Sequence, residues 1–167
     1  MKILKAIHNT LKKIETVIGV VIFATIVIIV VLQVALRFGL GKSILWAVEL
    51  SELLFIYLSF IMADVVYKDR GHIKIDYFYG KLSSTWKSLV SIVSYVLILV
   101  LFLYSLPESI TLIKMQSGHT LAVALPLNKS YWTFPVLIAF SSMIFTTIYY
   151  IVEEVLNFNN NGLKKNK

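Results

Sequence analysis

The sequence predicts an all-α integral membrane protein with four transmembrane helices plus a short amphipathic interfacial helix. Three observations support this fold class. The 167 residues are 58% hydrophobic and 15% charged, whereas soluble domains are roughly 45–50% apolar and about 25% charged. Four apolar runs reach the length of about 20 residues that a helix needs to cross a bilayer. The runs are continuous rather than alternating, which favours helices over the strands of a membrane barrel.

The four runs form a single predicted membrane domain with spans at about residues 17–36, 46–66, 87–106 and 131–152. The first run is too long for a signal-peptide core, and no small-residue cleavage site follows it, so we expect a retained anchor. Only the second run holds acidic residues, namely Glu49, Glu52 and Asp64. The fourth run carries hydroxyl residues that we interpret as a packing face: Ser141, Ser142, Thr146 and Thr147.

Basic residues are distributed unequally between the two sides of the predicted membrane. With four spans, twelve of the sixteen lysines and arginines fall on the side that carries both termini, and four fall on the other side. Because lysine and arginine are enriched in cytoplasmic segments, we expect both termini in the cytoplasm. The formal net charge of +7 does not indicate nucleic-acid binding here, since the charges lie in short blocks between apolar runs.

The connections between the spans carry helical signals of their own. One face of the segment after span two holds four apolar residues: Ile75, Phe78, Tyr79 and Leu82. Their spacing predicts a short amphipathic helix at about residues 74–82, lying at the cytoplasmic interface, with a plain loop as the alternative. On the outer side, we expect Pro107 in the first turn of a helical extension that runs to about Ser117.

The acidic residues of span two are the candidate functional residues, because an ionisable side chain inside a span costs on the order of 2.5–3.5 kcal/mol. Glu49 and Glu52 lie three residues apart and share one helix face near the outer end. We interpret them as half of a polar contact with another helix or subunit, and Arg37 is the nearest partner within the chain. The alternative is that both carboxylates reach interfacial water.

Other chemistries find little support in the sequence. The chain has no cysteine, which excludes disulfides and thiolate metal sites. None of its histidines lies inside a span, which argues against haem held within the helices. His72 and Asp76 lie four residues apart, but two ligands make no metal site, so a loop contact is the favoured role. We predict no catalytic residue, and one span with carboxylates makes no transport path.

Three stretches together resemble a known family. The first runs from Arg37-Phe38 to Trp46 and Glu49, the second is Gly71-His72-Ile73-Lys74-Ile75-Asp76, and the third runs from Pro126 through Tyr131-Trp132 to Pro135. In this order, and with four spans and both termini inside, they resemble the small membrane subunit of tripartite ATP-independent periplasmic (TRAP) transporters, the DctQ-type family.

The resemblance implies a sodium-coupled importer of organic anions in the bacterial inner membrane. A periplasmic binding protein would capture the substrate, and a large membrane subunit would hold the substrate and sodium sites. This chain would be a static scaffold without a cofactor of its own. The implied interface residues are Arg37, Trp46, Glu49, Glu52, His72 and Asp76. Family substrates include dicarboxylates and sialic acid. A stand-alone four-helix channel or small carrier, and a membrane anchor of a redox complex, remain alternatives.

Overall fold

The computed structural model describes residues 2–41, 44–69, 84–118 and 126–165. Within these residues the chain forms four helices: α1 (Lys2–Leu40), α2 (Leu45–Lys68), α3 (Ser84–Gln116) and α4 (Ser130–Lys165). All four are long and apolar enough to cross a membrane, which confirms the predicted all-α membrane fold. The predicted interfacial helix at 74–82 lies outside the described residues.

Each helix is longer than the span that the sequence predicted for it. Helix α1 has 39 residues and α4 has 36, which is well over 50 Å of helix at about 1.5 Å per residue. The hydrocarbon core is about 30 Å thick, so both helices extend beyond it. The additional turns of α1 precede the first apolar run, and those of α4 follow the last one.

The four helices pack as two antiparallel pairs, and the second helix of each pair contacts the second helix of the other. Helix α1 packs against α2, α3 packs against α4, and α2 joins the two pairs by packing against α4. Helix α1 ends at Leu40 and α2 begins at Leu45, and Gly41 between them adopts a positive φ of 63°, a conformation that glycine reaches without steric cost. We call the end that holds the start of α1 and the end of α2 the inner end.

Helix α3 continues through Pro107 to Gln116 without a break. The sequence placed Pro107 in the first turn of a separate extension, whereas the structure places it inside one long helix. The predicted end near Ser117 agrees with the structure, since residues 117 and 118 form a turn. Proline removes one backbone donor, and here the helix tolerates that loss.

Aromatic side chains form the core at the inner end, where α2, α3 and α4 meet. Tyr67, Met143, Tyr149 and Tyr150 are its buried members. Tyr95 and Phe102 of α3 pack against them, with ring centroids 5.5 Å from Tyr150 and 5.9 Å from Tyr67, respectively. The outward faces of α1 and α3 are exposed and apolar along most of their length, as expected of surfaces that meet lipid or another membrane protein.

Candidate functional site

A buried lysine forms the centre of the inner end. Lys68 is the last residue of α2, and its side chain is fully buried. Its ammonium nitrogen donates to both carboxylate oxygens of Glu15 at 2.5 Å, to Asp64 Oδ2 at 3.0 Å and to Ser142 Oγ at 2.8 Å. One side chain therefore ties α1, α2 and α4 together, and its three N–H groups all have acceptors.

The charges in this cluster do not balance. One ammonium faces two carboxylates, because Glu15 comes from α1 and Asp64 lies one turn before Lys68 on α2. Asp64 is 2% exposed, and its Oδ1 atom is buried with no hydrogen-bond partner. Unpaired buried charge is costly, so the cluster depends on Lys68 to hold both acids.

A second ion pair lies directly beside the first. Lys12 of α1 contacts Asp69, the residue that follows α2, and both side chains are partly exposed. Helix α1 thus presents a lysine and, one turn later, a glutamate, while the end of α2 presents an aspartate and a lysine. The complementary order of these charges favours one register between α1 and α2 at the inner end.

Two tyrosine hydroxyls add hydrogen bonds between α2 and α4 beside the cluster. The Tyr150 hydroxyl donates to the backbone carbonyl of Lys68 at 2.6 Å. That carbonyl is one of the last four in the helix, and these carbonyls accept no hydrogen bond from the N–H groups of their own helix. The Tyr67 hydroxyl lies 2.5 Å from Thr147 Oγ1, so α2 and α4 are joined twice within about one turn.

His8 extends the packing beyond the apolar runs. Its ring is 7% exposed and stacks on Tyr149 with a centroid distance of 5.2 Å. Tyr150 approaches the same ring edge-on at 5.7 Å. The first turns of α1 therefore pack against α4 rather than projecting alone. From the sequence, His8 was considered only as a possible haem ligand, and it lies outside the spans.

The predicted interface residues that the structure describes lie on α1 and α2 and differ in exposure. Arg37, Trp46 and Glu52 are exposed, and Glu49 is half-buried. Among the described residues no ion pair is formed by Arg37. His72 and Asp76 lie outside the described residues, so their role in a subunit interface stays a prediction.

Sequence reasoning missed the cluster because the predicted second span ends at residue 66 and leaves Lys68 beyond it. In the structure α2 continues to Lys68, which is buried. One signal was present: Lys68 follows Asp64 by four residues, which places both on one helix face. The participation of Glu15 and Ser142 had no comparable local signal. Ser142, Thr146 and Thr147 do lie on a packing face, as predicted, and the two threonines are fully buried, whereas Ser141 is exposed and was wrongly included in that face.

The arrangement can lock helices together but offers no reactive group. Every donor of Lys68 is used within the cluster, and no nucleophile with an adjacent base lies among the residues named here. Across the described ranges, no group of three histidine or acidic residues is placed to hold a metal ion. The geometry of the inner end therefore indicates a structural role, which is to hold the helices together.

Comparison with known proteins assigns the chain to a family. Residues 26–157, most of the chain, match the family described as tripartite ATP-independent periplasmic transporters, DctQ component. The chain is 31% identical over 79 residues to the sialic acid TRAP transporter small permease protein SiaQ of Vibrio cholerae serotype O1, which covers 47% of this chain and 46% of that relative. The alignment thus spans about half the length of the relative.

Four helices able to cross a membrane, together with this family, point to a multi-pass protein of the inner membrane. The resemblance of the three sequence stretches is confirmed by the match across residues 26–157. The chain therefore belongs to the DctQ component family of tripartite ATP-independent periplasmic transporters.

Proposed function

We propose that the chain is the static scaffold subunit of a sodium-coupled TRAP importer of organic anions. In this role it enlarges the fixed part of a large membrane subunit, which binds the substrate and the sodium ions and moves them. The chain itself binds neither. Its outer end contributes to the surface on which a periplasmic binding protein docks, and both of its termini lie in the cytoplasm.

The observation that carries this proposal is the placement of the buried charged groups. Within the described residues, the buried charged side chains and His8 all lie at the inner end. Farther along the helices, serine hydroxyls bond to the carbonyl one turn earlier in their own helix, as Ser51, Ser59 and Ser105 do. Such hydroxyls do not line a continuous polar path, so this part of the chain supports a stationary role.

The nature of the substrate follows from the relative that the chain resembles. That protein is named as a small permease of a sialic acid TRAP transporter. We therefore propose an organic anion as the cargo, with sialic acid first and four-carbon dicarboxylates second. Sodium would drive the import and would bind to the large subunit.

Reconstitution tests the scaffold role directly. Vesicles that contain this chain and its large subunit should take up the organic anion when a sodium gradient and the binding protein are supplied. Vesicles that contain this chain alone should show no uptake. Sodium-dependent uptake by the chain alone would contradict the proposal and would favour a stand-alone carrier.

Glu49 provides a test of the outer-end interface. If Glu49 pairs with a cation of the large subunit, Glu49→Ala should reduce the amount of large subunit that co-purifies with the chain, because removing one partner of a buried ion pair can cost about 3–5 kcal/mol. Glu108→Ala, at an exposed position on α3, is the matched control and should leave co-purification unchanged. Equal recovery of the large subunit with both variants would contradict a role for Glu49 at the interface.

A further inference from the structure

A polar cavity opens at the inner end, next to the charge cluster. It has a volume of about 340 Å³, within the usual range for ligand cavities. Its walls are formed by side chains that are more than nine-tenths buried, namely His8, Lys68, Tyr149 and Tyr150. Lys12, Asp69 and Glu153 complete its lining. The buried walls show that the cavity is built into the helix packing.

A second cavity of about 470 Å³ adjoins the first along α1. The two share Asn9 and Lys12, and the second continues past Lys13 to Thr16 and Val17. These positions recur at helical spacing and therefore form one strip of α1. The strip continues into the apolar run with three exposed valines: Val20, Val27 and Val31.

The chemistry along this strip changes in the order that a phospholipid requires. Tyr149 stacks on His8, farthest from the apolar run, and Glu153 follows Tyr149 by one turn of α4, whereas Asp69 lies beside Lys12. Lys13 lies about 6 Å deeper than Asn9 along the axis, and Val17 lies about 6 Å deeper again, at 1.5 Å per residue. A headgroup, its phosphate and the start of its acyl chains would meet these three levels in sequence.

The charges in the first cavity select among headgroups. Asp69 and Glu153 provide carboxylates that favour a cation, and Lys68 in the same wall is already offset by Glu15 and Asp64. Lys12 and Lys13 favour a phosphate. Lys12 already contacts Asp69, and Glu153 also has a contact within the chain, so a headgroup would join this network. Lys13 is exposed, and it forms no ion pair among the described residues.

We propose that these two cavities form a binding site for a phospholipid whose headgroup ends in a primary ammonium. The ammonium occupies the polar cavity beside Glu153 and the tyrosines, the phosphate lies between Lys12 and Lys13, and an acyl chain follows Thr16 and Val17. A glycerol headgroup lacks the cation, and a choline headgroup lacks N–H donors for the carboxylates. The site therefore discriminates between headgroups that share the same phosphate and chains.

Native mass spectrometry of the full chain, delipidated in detergent, tests the site. The probes are phosphatidylethanolamine, phosphatidylcholine and phosphatidylglycerol with identical acyl chains, added singly and in competition. Phosphatidylethanolamine should be retained about three- to tenfold better than the other two, since its ammonium gains a charge-assisted hydrogen bond. Equal retention of the three lipids, or preference for phosphatidylglycerol, would overturn the proposal.

Two pairs of variants locate the site. Glu153→Gln should abolish the preference over phosphatidylcholine, whereas Glu154→Gln, at the neighbouring half-buried position outside the cavity, should keep it. Lys13→Gln should weaken retention of all three lipids, whereas Lys114→Gln at an exposed site on α3 should not. If the two glutamate variants behave alike, the ammonium does not lie beside Glu153 and the proposal fails.

Two further measurements map the bound lipid onto the chain. A photoreactive phosphatidylethanolamine should label peptides that contain residues 8–20, 68–69 or 149–153, and this readout needs no variant to fold. Labelling elsewhere on the chain would overturn the proposal. Soluble phosphoethanolamine at the same concentration should not displace the lipid, because the groove along α1 holds the acyl chain. Displacement by the soluble compound would overturn the assignment of that groove to a lipid chain.

Discussion

At the scale of single residues, Lys68 is the described side chain that matters most for the stability of the inner end. A fully buried ammonium loses its hydration, and only good geometry with its partners offsets that loss. Here Glu15, Asp64 and Ser142 supply acceptors from three helices. Because two acids depend on one base, removing the base should be far more harmful than removing either acid.

We expect Lys68→Met to destabilise the protein by about 3–5 kcal/mol, because it leaves the buried Asp64 and the half-buried Glu15 without a cation. Thermal unfolding in detergent, followed by circular dichroism, measures the loss. Combining Lys68→Met with Glu15→Gln and Asp64→Asn should restore most of the stability, since no charge then remains buried. Lys114→Met is the control for removal of an exposed lysine. An unchanged melting temperature for Lys68→Met would contradict the role of the cluster.

A second prediction concerns the Tyr150 hydroxyl, whose removal should lower the stability by a smaller amount. Tyr150→Phe removes the donor to the Lys68 carbonyl and should cost about 1–3 kcal/mol, the penalty for a buried acceptor left unpaired. Tyr149→Phe is a matched control, because Tyr149 is also buried in the same core. The difference in melting temperature between the two variants is the measurement. Equal melting temperatures would show that water or another group satisfies the carbonyl.

At the scale of elements, Gly19 sets how closely α1 approaches α2. A Cβ atom at this position would lie 2.6 Å from the sulfur of Met62 and 3.7 Å from a methyl group of Leu58. Small residues at helix contacts allow the backbones to come together in membranes. The α1–α2 pair therefore combines a close apolar contact within the spans with two ion pairs at the inner end.

Gly19→Leu should force α1 and α2 apart and lower stability by about 1–3 kcal/mol, as overpacking usually does. Gly39→Leu, near the outer end of the same helix, meets nothing within 4 Å and should be neutral or stabilising. Adding Met62→Ala to Gly19→Leu should recover part of the loss by making room for the new side chain. Unfolding curves in detergent compare the three variants, and similar curves for Gly19→Leu and Gly39→Leu would argue against close packing at Gly19.

At the scale of the whole molecule, the distribution of charge predicts the orientation. The chain has no cysteine, so a single introduced cysteine reports its own side of the membrane. Ser117→Cys at the outer end should react with an impermeant maleimide in intact cells, and Thr10→Cys on α1 should react only after lysis. Both native positions are exposed. Labelling of Thr10→Cys in intact cells would reverse the predicted topology.

The long apolar faces of α1 and α3 also belong to this scale. Residues such as Val21, Phe23 and Val31 of α1 and Leu97, Val100 and Leu101 of α3 are more than half exposed. In a membrane such faces cost little, because lipid tails are as apolar as the side chains. They leave room for a large partner subunit without any rearrangement of the four helices.

Composition and local pattern were enough to predict the class of protein and its four apolar helices. These properties are local: an apolar run of sufficient length must satisfy its own backbone groups in lipid, and a helix is the way to do so. The family resemblance was also visible in the order of three short stretches. The acidic residues of span two could be located, but nothing in the pattern showed which of them would be buried.

Only the tertiary structure showed which faces of the helices are in contact. Glu15, Lys68 and Ser142 are far apart in the sequence, and nothing local indicates that three helices bring them within hydrogen-bond distance. The same holds for the register of α3 against α4, in which Gln116 accepts a hydrogen bond from Thr133 at 2.6 Å. In a membrane the apolar faces of a helix are nearly equivalent, so the few polar and small residues select the packing, and their partners are set by the fold.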